Sequence, residues 1–402
     1  MKLLRVVPFA LLGLACPVRA QDTTAAPVDT SYVEYNEPPI TLPMGIGLRV
    51  PSYDRVNGLT IPWGPQLILG DERVLLDAIV RYRSNLGNWD PSLEGFLRPG
   101  NANEVKLFVG RGTFTNDSWI RSDLLNSLAA LAVGSDARNY YRADRASLRF
   151  TRTLSTPAIT LTPFIGGNME RDWSTGSLDP QKSPWSFTGS KGKLRMRRPN
   201  PPVAKGRINS FFGGSGIAIA RGGFDGNLDV TVEHAFKAPT FLCSLFPQAG
   251  PPTCSDASFT QTTLDSHVKF PTFGTQTFEF KGHAVFTGVN TLPPQRFAYL
   301  GGVGTLATVN LLALGGDNLL YFMGDYVIPI DRIVLPMVGS PFLALTYAAG
   351  TAGFGSTPPL IQNLGVGAGI SLFRVDYTID PAQKGSPLSR KSAWSFGVSL
   401  SL

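Results

Sequence analysis

The run that most restricts this chain is its last eleven residues, 392–402. Trp394, Phe396, Val398, Leu400 and Leu402 fall at one parity and Ser395, Gly397, Ser399 and Ser401 at the other. Side chains alternate across a strand, so the run is a strand with one wholly apolar face and one small, polar face. A soluble sheet seldom leaves such a face uncapped at a chain end. A membrane-spanning barrel strand needs it over ~9–11 residues, greasy toward lipid and polar toward the lumen.

The rest of the chain agrees. Charged residues make up 16% of it, against ~25% in an average soluble domain. Beyond the N-terminal segment no stretch approaches 18 continuous apolar residues, so helical spans are excluded. In lipid only helices and closed barrels satisfy every backbone hydrogen bond. The sequence therefore predicts an all-β fold: a transmembrane antiparallel β-barrel of about 16 strands. A large secreted β-sandwich or β-helix is the competing architecture. No repeat of 20–50 residues points to a propeller or solenoid.

Residues 1–20 read as a signal peptide, with Lys2 and Arg5, an apolar run over 6–15, and Val18-x-Ala20 as the cleavage site. Gly13-Leu14-Ala15-Cys16 resembles a lipobox, but the Ala20 site is better formed. Residues 21–48 are polar and proline-rich and read as a flexible periplasmic leader; the barrel is expected over 49–402. Cys243 and Cys254 bracket a Pro/Gly-rich loop, which in an oxidising compartment predicts a disulfide. His234, His267 and His283 are scattered without ligand spacing, so no metal or other cofactor is expected. A net charge of +7 without nucleic-acid motifs suits a cationic lumen or anionic lipid phosphates, and nucleic acid is not an expected partner.

Along the chain, short alternating runs are joined by turn signals such as Asn57-Gly58 and Gly222-Gly223. Ile120, Leu124, Leu128 and Leu131 break the rhythm at helical spacing. They predict one short loop helix over 119–133, capped by Asp117 or Ser118 and ended by Gly134. Lys191, Lys193, Arg195 and Arg197 occupy every second position. As a strand they would form a cationic stripe attracting anions or lipopolysaccharide phosphate; the alternative is a solvated loop edge. Leu228, Val230 and Val232 alternate with Asp229, Thr231 and Glu233, polar inward and apolar outward. The longest strands are expected at 296–306, 318–330, 333–348, 361–380 and 392–402. Gly213-Gly214-Ser215-Gly216 has Ile217 where a nucleophile turn of the form Gly-x-Ser-x-Gly needs glycine. It reads as close packing in a strand, and the chain is not expected to be an enzyme.

Two resemblances refine this reading. Ser395, Gly397, Leu400 and Leu402 fit polar-x-Gly-x-x-apolar-x-apolar and so resemble the C-terminal β-signal of bacterial outer-membrane barrels. Further back stand Arg296-Phe297, Gly301-Gly302, Gly304-Thr305-Leu306, Gly315-Gly316-Asp317-Asn318, Gly365-Val366-Gly367 and Arg374-Val375-Asp376-Tyr377, with Tyr53-Asp54-Arg55-Val56-Asn57-Gly58-Leu59 near the start. In that order they resemble the outer-membrane surface-antigen barrel superfamily typified by BamA and TamA. The resemblance implies a bacterial outer-membrane address and a role in inserting or translocating polypeptide. It also implies a lumenal loop around Gly301, Gly302, Gly304, Thr305 and Leu306. The implied partners are outer-membrane lipid and lipopolysaccharide, the assembly machinery during insertion, and a separate periplasmic partner. Two departures stand out. Ala307 and Ala348 occupy the positions where the family carries a lumenal Arg and its Asp partner, and residues 21–48 leave no room for the periplasmic polypeptide-transport-associated domains. A passive anion-preferring channel and a structural surface antigen with a plugged lumen remain the alternatives.

Overall fold

The computed structural model describes residues 40–398, apart from 71, 177–184, 241–256, 289–291, 336–338, 372 and 383–387. The signal peptide, most of the leader, Cys243, Cys254, Leu400 and Leu402 lie outside the described residues. Among the described residues strand pairing is present from Ile40, ahead of the expected residue 49.

A single antiparallel meander makes up the structure. β1 is interrupted (Ile40–Thr41 and Ser52–Asp54) and folds back on β2 (Gly58–Trp63 and Gln66–Leu69). There follow β3 (Val74–Arg83), β4 (Asn88–Leu97), β5 (Asn103–Phe114), β6 (Tyr141–Arg152), β7 (Ile159–Trp173) and β8 (Gly206–Arg221). Then come β9 (Phe224–Ala238), β10 (Ala257–Pro271), β11 (Thr277–Thr287) and β12 (Asn318–Pro329). β13 (Pro341–Gly353), β14 (Ile361–Ile370), β15 (Phe373–Ile379) and β16 (Ser392–Val398) complete it. Each strand pairs antiparallel with the next, so the longer connections 115–140, 174–205 and 288–317 all leave one end. In outer-membrane barrels that end is extracellular and the short turns are periplasmic.

Register fixes which face each residue takes. Asp229, Asp265 and His283 are successive cross-strand partners at the inward parity, continued by Tyr321 and Gly350. The opposite parity is apolar and bare: Ile165 is 65% exposed, Val366 59%, Phe396 59% and Trp394 73%. Water does not tolerate a continuous belt of that kind, and hydrocarbon requires it. Among the described residues no helix is long and apolar enough to cross a membrane. A cavity of about 820 Å³ takes lining residues from β9, β10, β11, β12 and β16 together. Strands so far apart in order face one space because the sheet curls around it.

Several expectations are corrected. The loop helix α1 spans Asp123–Val133, and Ser122 rather than Asp117 or Ser118 caps it, accepting the Leu125 N–H. Trp119 and Ile120, inside the expected span, precede the helix, and Trp119 stacks on the inward-facing His283 of β11 instead. Gly134 does end it, left-handed at φ 67°. A second helix, α2, covers Ser190–Met196, for which the sequence left open a cationic strand or a solvated loop edge. Gly192 and Met196, one helical turn apart, are its buried residues; a Cβ on Gly134 of α1 would come within 2.5 Å of Gly192 Cα. Lys191, Lys193, Arg195 and Arg197 thus wind around a helix end and form no one-sided stripe. The run 361–380 is the β14–β15 hairpin, with Ser371 at φ 52° in its turn. The run 296–306 is no wall strand. Gly213-Gly214-Ser215-Gly216 lies inside β8, where a Cβ on Gly214 would meet Val230 O at 1.9 Å.

Candidate functional site in the lumen

Within the connection 288–317, residues 292–317 fold back into the barrel. It enters through a 3-10 turn, Pro294–Arg296, that places Arg296 against the wall. The Arg296 guanidinium donates to Tyr141 Oη (3.0 Å, β6), to Glu233 Oε2 (3.2 Å, β9) and to Glu170 Oε1 of β7. Glu170 also accepts from Arg145 Nε at 2.8 Å. Two cations therefore face two carboxylates in a water-poor pocket, the arrangement that makes burying them tolerable. Beside it Gln295 Nε2 donates to Asp172 Oδ2 and Ala204 O, both at 3.0 Å.

The chain then crosses as a short hairpin, Ala298–Leu300 against Leu314–Gly316. Between its arms Gly301, Gly302 and Gly304 sit at φ 126°, 90° and 105°, which an L side chain rarely adopts. Thr305 Oγ1 accepts the Gly301 N–H at 3.0 Å, and the Gly302 N–H donates to Leu306 O at 3.0 Å. The glycine-rich motif is thus one tight turn, and it buries Leu306. Leu300, Leu306 and Val309 pack with Val285, Leu319, Tyr321, Ala348 and Ala352 on the inward faces of β11, β12 and β13.

The return limb is tied to β14. The Thr308 N–H donates to Asn363 Oδ1 (3.1 Å), and Asn363 Nδ2 donates to Thr308 Oγ1 (2.7 Å). This neutral pair stands next to Ala307. The loop's polar partner on a late strand is therefore Asn363, and Ala348 packs against Leu306 instead. Fixed to β6, β7 and β9 at one end and β14 at the other, the loop spans the lumen.

The long connections lean on it. Trp119 stacks on His283 (4.0 Å between ring centroids, 13°), whose Nδ1 lies 2.6 Å from Asp265 Oδ1. Arg121 Nη2 donates to Val303 O at 2.8 Å. Above them residues Tyr53 to Gly58 of the motif form a buried knot beneath α1 and α2, with Leu59 exposed. Asp54 Oδ1 accepts the N–H groups of Val56 and Asn57 at 2.9 and 2.7 Å. Arg55 donates to the carbonyls of Arg138 (3.1 Å) and Arg198 (2.5 Å). Burial pushes the Asp117 carboxyl in this loop layer up to about 7, and burial beside Arg55 brings Arg198 down to about 10.

Of the residues singled out from sequence, the glycine-rich motif is brought together in the lumen, and Ser395 and Gly397 lie at the lumenal parity of β16. Arg296, Glu170, Glu233, Thr308 and Asn363 were not foreseen as one assembly. The only available signal was charge at inward parity within strands. Among the described residues no group of three His, Cys, Asp or Glu side chains could hold a metal ion.

No protein-family model matches the sequence, and no curated protein matches it. Its structure is similar to BamA from Haemophilus ducreyi lacking POTRA domains 1–3, with TM-score 0.50 and 13% identity over 87% of this chain and 68% of that one. CdiB from Escherichia coli also matches (TM-score 0.46, 11% identity, 90% of this chain, 63% of that one). So does CdiB from Acinetobacter baumannii (0.43, 11%, 87% and 58%). The chain spans less than two thirds of the length of either CdiB chain. At such identity the likeness to BamA is one of fold: a BamA-like barrel.

Proposed function

We propose that the protein resides in the bacterial outer membrane and inserts or translocates polypeptide there, with the 288–317 loop as a displaceable strap across the passage. The observation that carries this reading is the loop itself, clamped to β6, β7 and β9 through Arg296 and to β14 through Thr308. A diffusion pore works with an open lumen. A lumen crossed by a strap held on a few named contacts suits a passage opened by its cargo. The belt of exposed Ile165, Val366, Trp394 and Phe396 and the BamA-like fold support the membrane address. The anion-channel reading drew its preference from the lumen loops and from an aligned Lys191–Arg197 row, and α2 disperses that row. The partners that follow are outer-membrane lipid, the assembly machinery during insertion, and a separate periplasmic protein that presents cargo.

The test combines a deletion strain with planar bilayers. Loss of the protein is expected to deplete a set of outer-membrane or secreted polypeptides. The purified barrel is expected to conduct poorly until the loop is shortened. A large steady current from the intact protein, with an unchanged outer-membrane and secreted protein profile, would reject the proposal in favour of a passive channel.

A further inference from the structure

We propose that Arg111, Arg171 and Arg207, side by side on the outer wall, bind the phosphorylated headgroup of an anionic outer-leaflet lipid, a polyacylated sugar phosphate. The inference rests on the outer-membrane reading above and adds the site and the chemistry it selects.

Four adjacent strands carry the row. Arg111 of β5 pairs across the ladder with Asp144 of β6, Asp144 with Arg171 of β7, and Arg171 with Arg207 of β8. Asp144 is engaged by Arg111, whose Nε and Nη2 reach its two oxygens at 2.7 and 3.0 Å. Arg171 and Arg207 are exposed, directly opposite one another, and have no carboxylate partner among the described residues. Like charges in direct cross-strand register destabilise a sheet, so an unneutralised pair here is a cost that a bound anion removes.

Height on the barrel says where that anion sits. On β7 the outward positions run from Ile159 to Met169 without a charge, and Arg171 is the next outward position. Ten residues at ~3.3 Å, tilted ~40°, climb about 25 Å, the height of a barrel's hydrocarbon belt. Arg171 therefore stands at headgroup level on the long-loop, extracellular side. Trp173, one outward position higher, has the Arg111 guanidinium 5.5 Å from its ring, as expected of the aromatic girdle at that boundary. A depression of about 720 Å³ joins the three arginines to Val109, Met169 and Asn209. Cations thus meet the phosphate while apolar side chains below meet acyl chains. Guanidinium forks match phosphate oxygens bidentately, and the row carries more cations than carboxylates. A zwitterionic phospholipid brings its own ammonium and gains little from such a row.

The experiment is native mass spectrometry of the full, detergent-folded protein titrated with lipid A, its dephosphorylated form, and phosphatidylethanolamine. Wild type is expected to retain lipid A at least about tenfold more tightly than either other lipid. Arg171→Gln/Arg207→Gln should lose that preference, and Arg221→Gln, at the opposite rim, should keep it. The double variant should also withstand denaturant as well as, or better than, wild type in lipid-free detergent, since it relieves a repulsion. Equal retention of all three lipids, or a preference intact in the double variant, overturns the site. Membrane fractionation and the heat-dependent gel mobility of a folded barrel test the address separately, so failure of one reading is not mistaken for failure of the other.

Discussion

Replacing Arg296 with Ala removes a guanidinium that is 6% exposed from between Glu170 and Glu233, which are 0% and 19% exposed. Removing one member of a buried ion cluster generally costs about 3–5 kcal/mol, because the opposite charge stays behind without compensation. Arg145 still serves Glu170, and Glu233 has some access to water, so the lower end applies, about 3 kcal/mol. At 1.4 kcal/mol per decade that shifts the docking of the loop's first limb by roughly a hundredfold. The readouts are denaturant unfolding in detergent, the rate of proteolysis within 288–300, and single-molecule conductance. Arg296→Ala should unfold earlier, be cut faster and conduct in bursts. Arg296→Ala with Glu170→Gln and Glu233→Gln should recover much of the loss, since the stranded charges go with their partner. An Arg296→Ala protein as stable, as protease-resistant and as closed as wild type would show that the ion cluster does not hold the strap.

Asn363→Ala strips Thr308 of both its partners on β14, costing about 1–3 kcal/mol, and should raise proteolysis in 305–316 while leaving 288–300 as resistant as before. For Asp117 the folded value of about 7 lies above ~3.9 for an unfolded Asp, so the folded state binds more protons between them. Stability should therefore fall as pH rises from about 4 to 7 and level off above. Asp117→Asn should flatten that slope in denaturation curves at pH 5 and pH 8, and an unchanged slope would place the titration elsewhere.

The wall of this barrel was legible because lipid outside and water inside impose opposite demands on alternate residues. Leu228, Val230 and Val232 could face only outward, and Trp394 and Phe396 likewise. What misled were stretches where two periods coincide. Over Ser190–Met196 the alternation of lysine and arginine with Gly192, Leu194 and Met196 fits a strand, but Gly192 and Met196 also share a helical face. Packing against Gly134 decides for the helix. Ile120 extends the period of α1 on paper, but the stacking of its neighbour Trp119 on His283 holds that stretch out of the helix. The apolar run after Arg296 looked like wall because it is apolar. Its glycines at positive φ turn it into the lumen, where Leu300 and Leu306 bury themselves without lipid.

The clamp of the loop was illegible for a different reason. A polar lumen offers many inward carboxylates, and nothing in the order of residues says that Arg296 chooses Glu170 and Glu233 over Asp229 or Glu279. Comparing magnitudes then tells how the strap would move. Its far limb buries Leu306 and Val309, at roughly 1.5–3 kcal/mol each, and adds the Thr308–Asn363 bonds at about 1 kcal/mol apiece. The near limb buries Leu292 and Phe297 against Ile208, Ala235, Ala238 and Phe259 and adds an ion cluster whose loss costs about 3 kcal/mol. Apolar burial is thus similar at the two ends, so the polar ties decide, and losing the larger of them loosens the Arg296 end most. A strap released there swings on the Leu306 cluster and stays seated beside β14, so the lumen can reclose without refolding the loop. The same comparison implies that Leu306→Ala, which loosens the pivot, should leave a persistently open barrel, whereas Arg296→Ala should flicker.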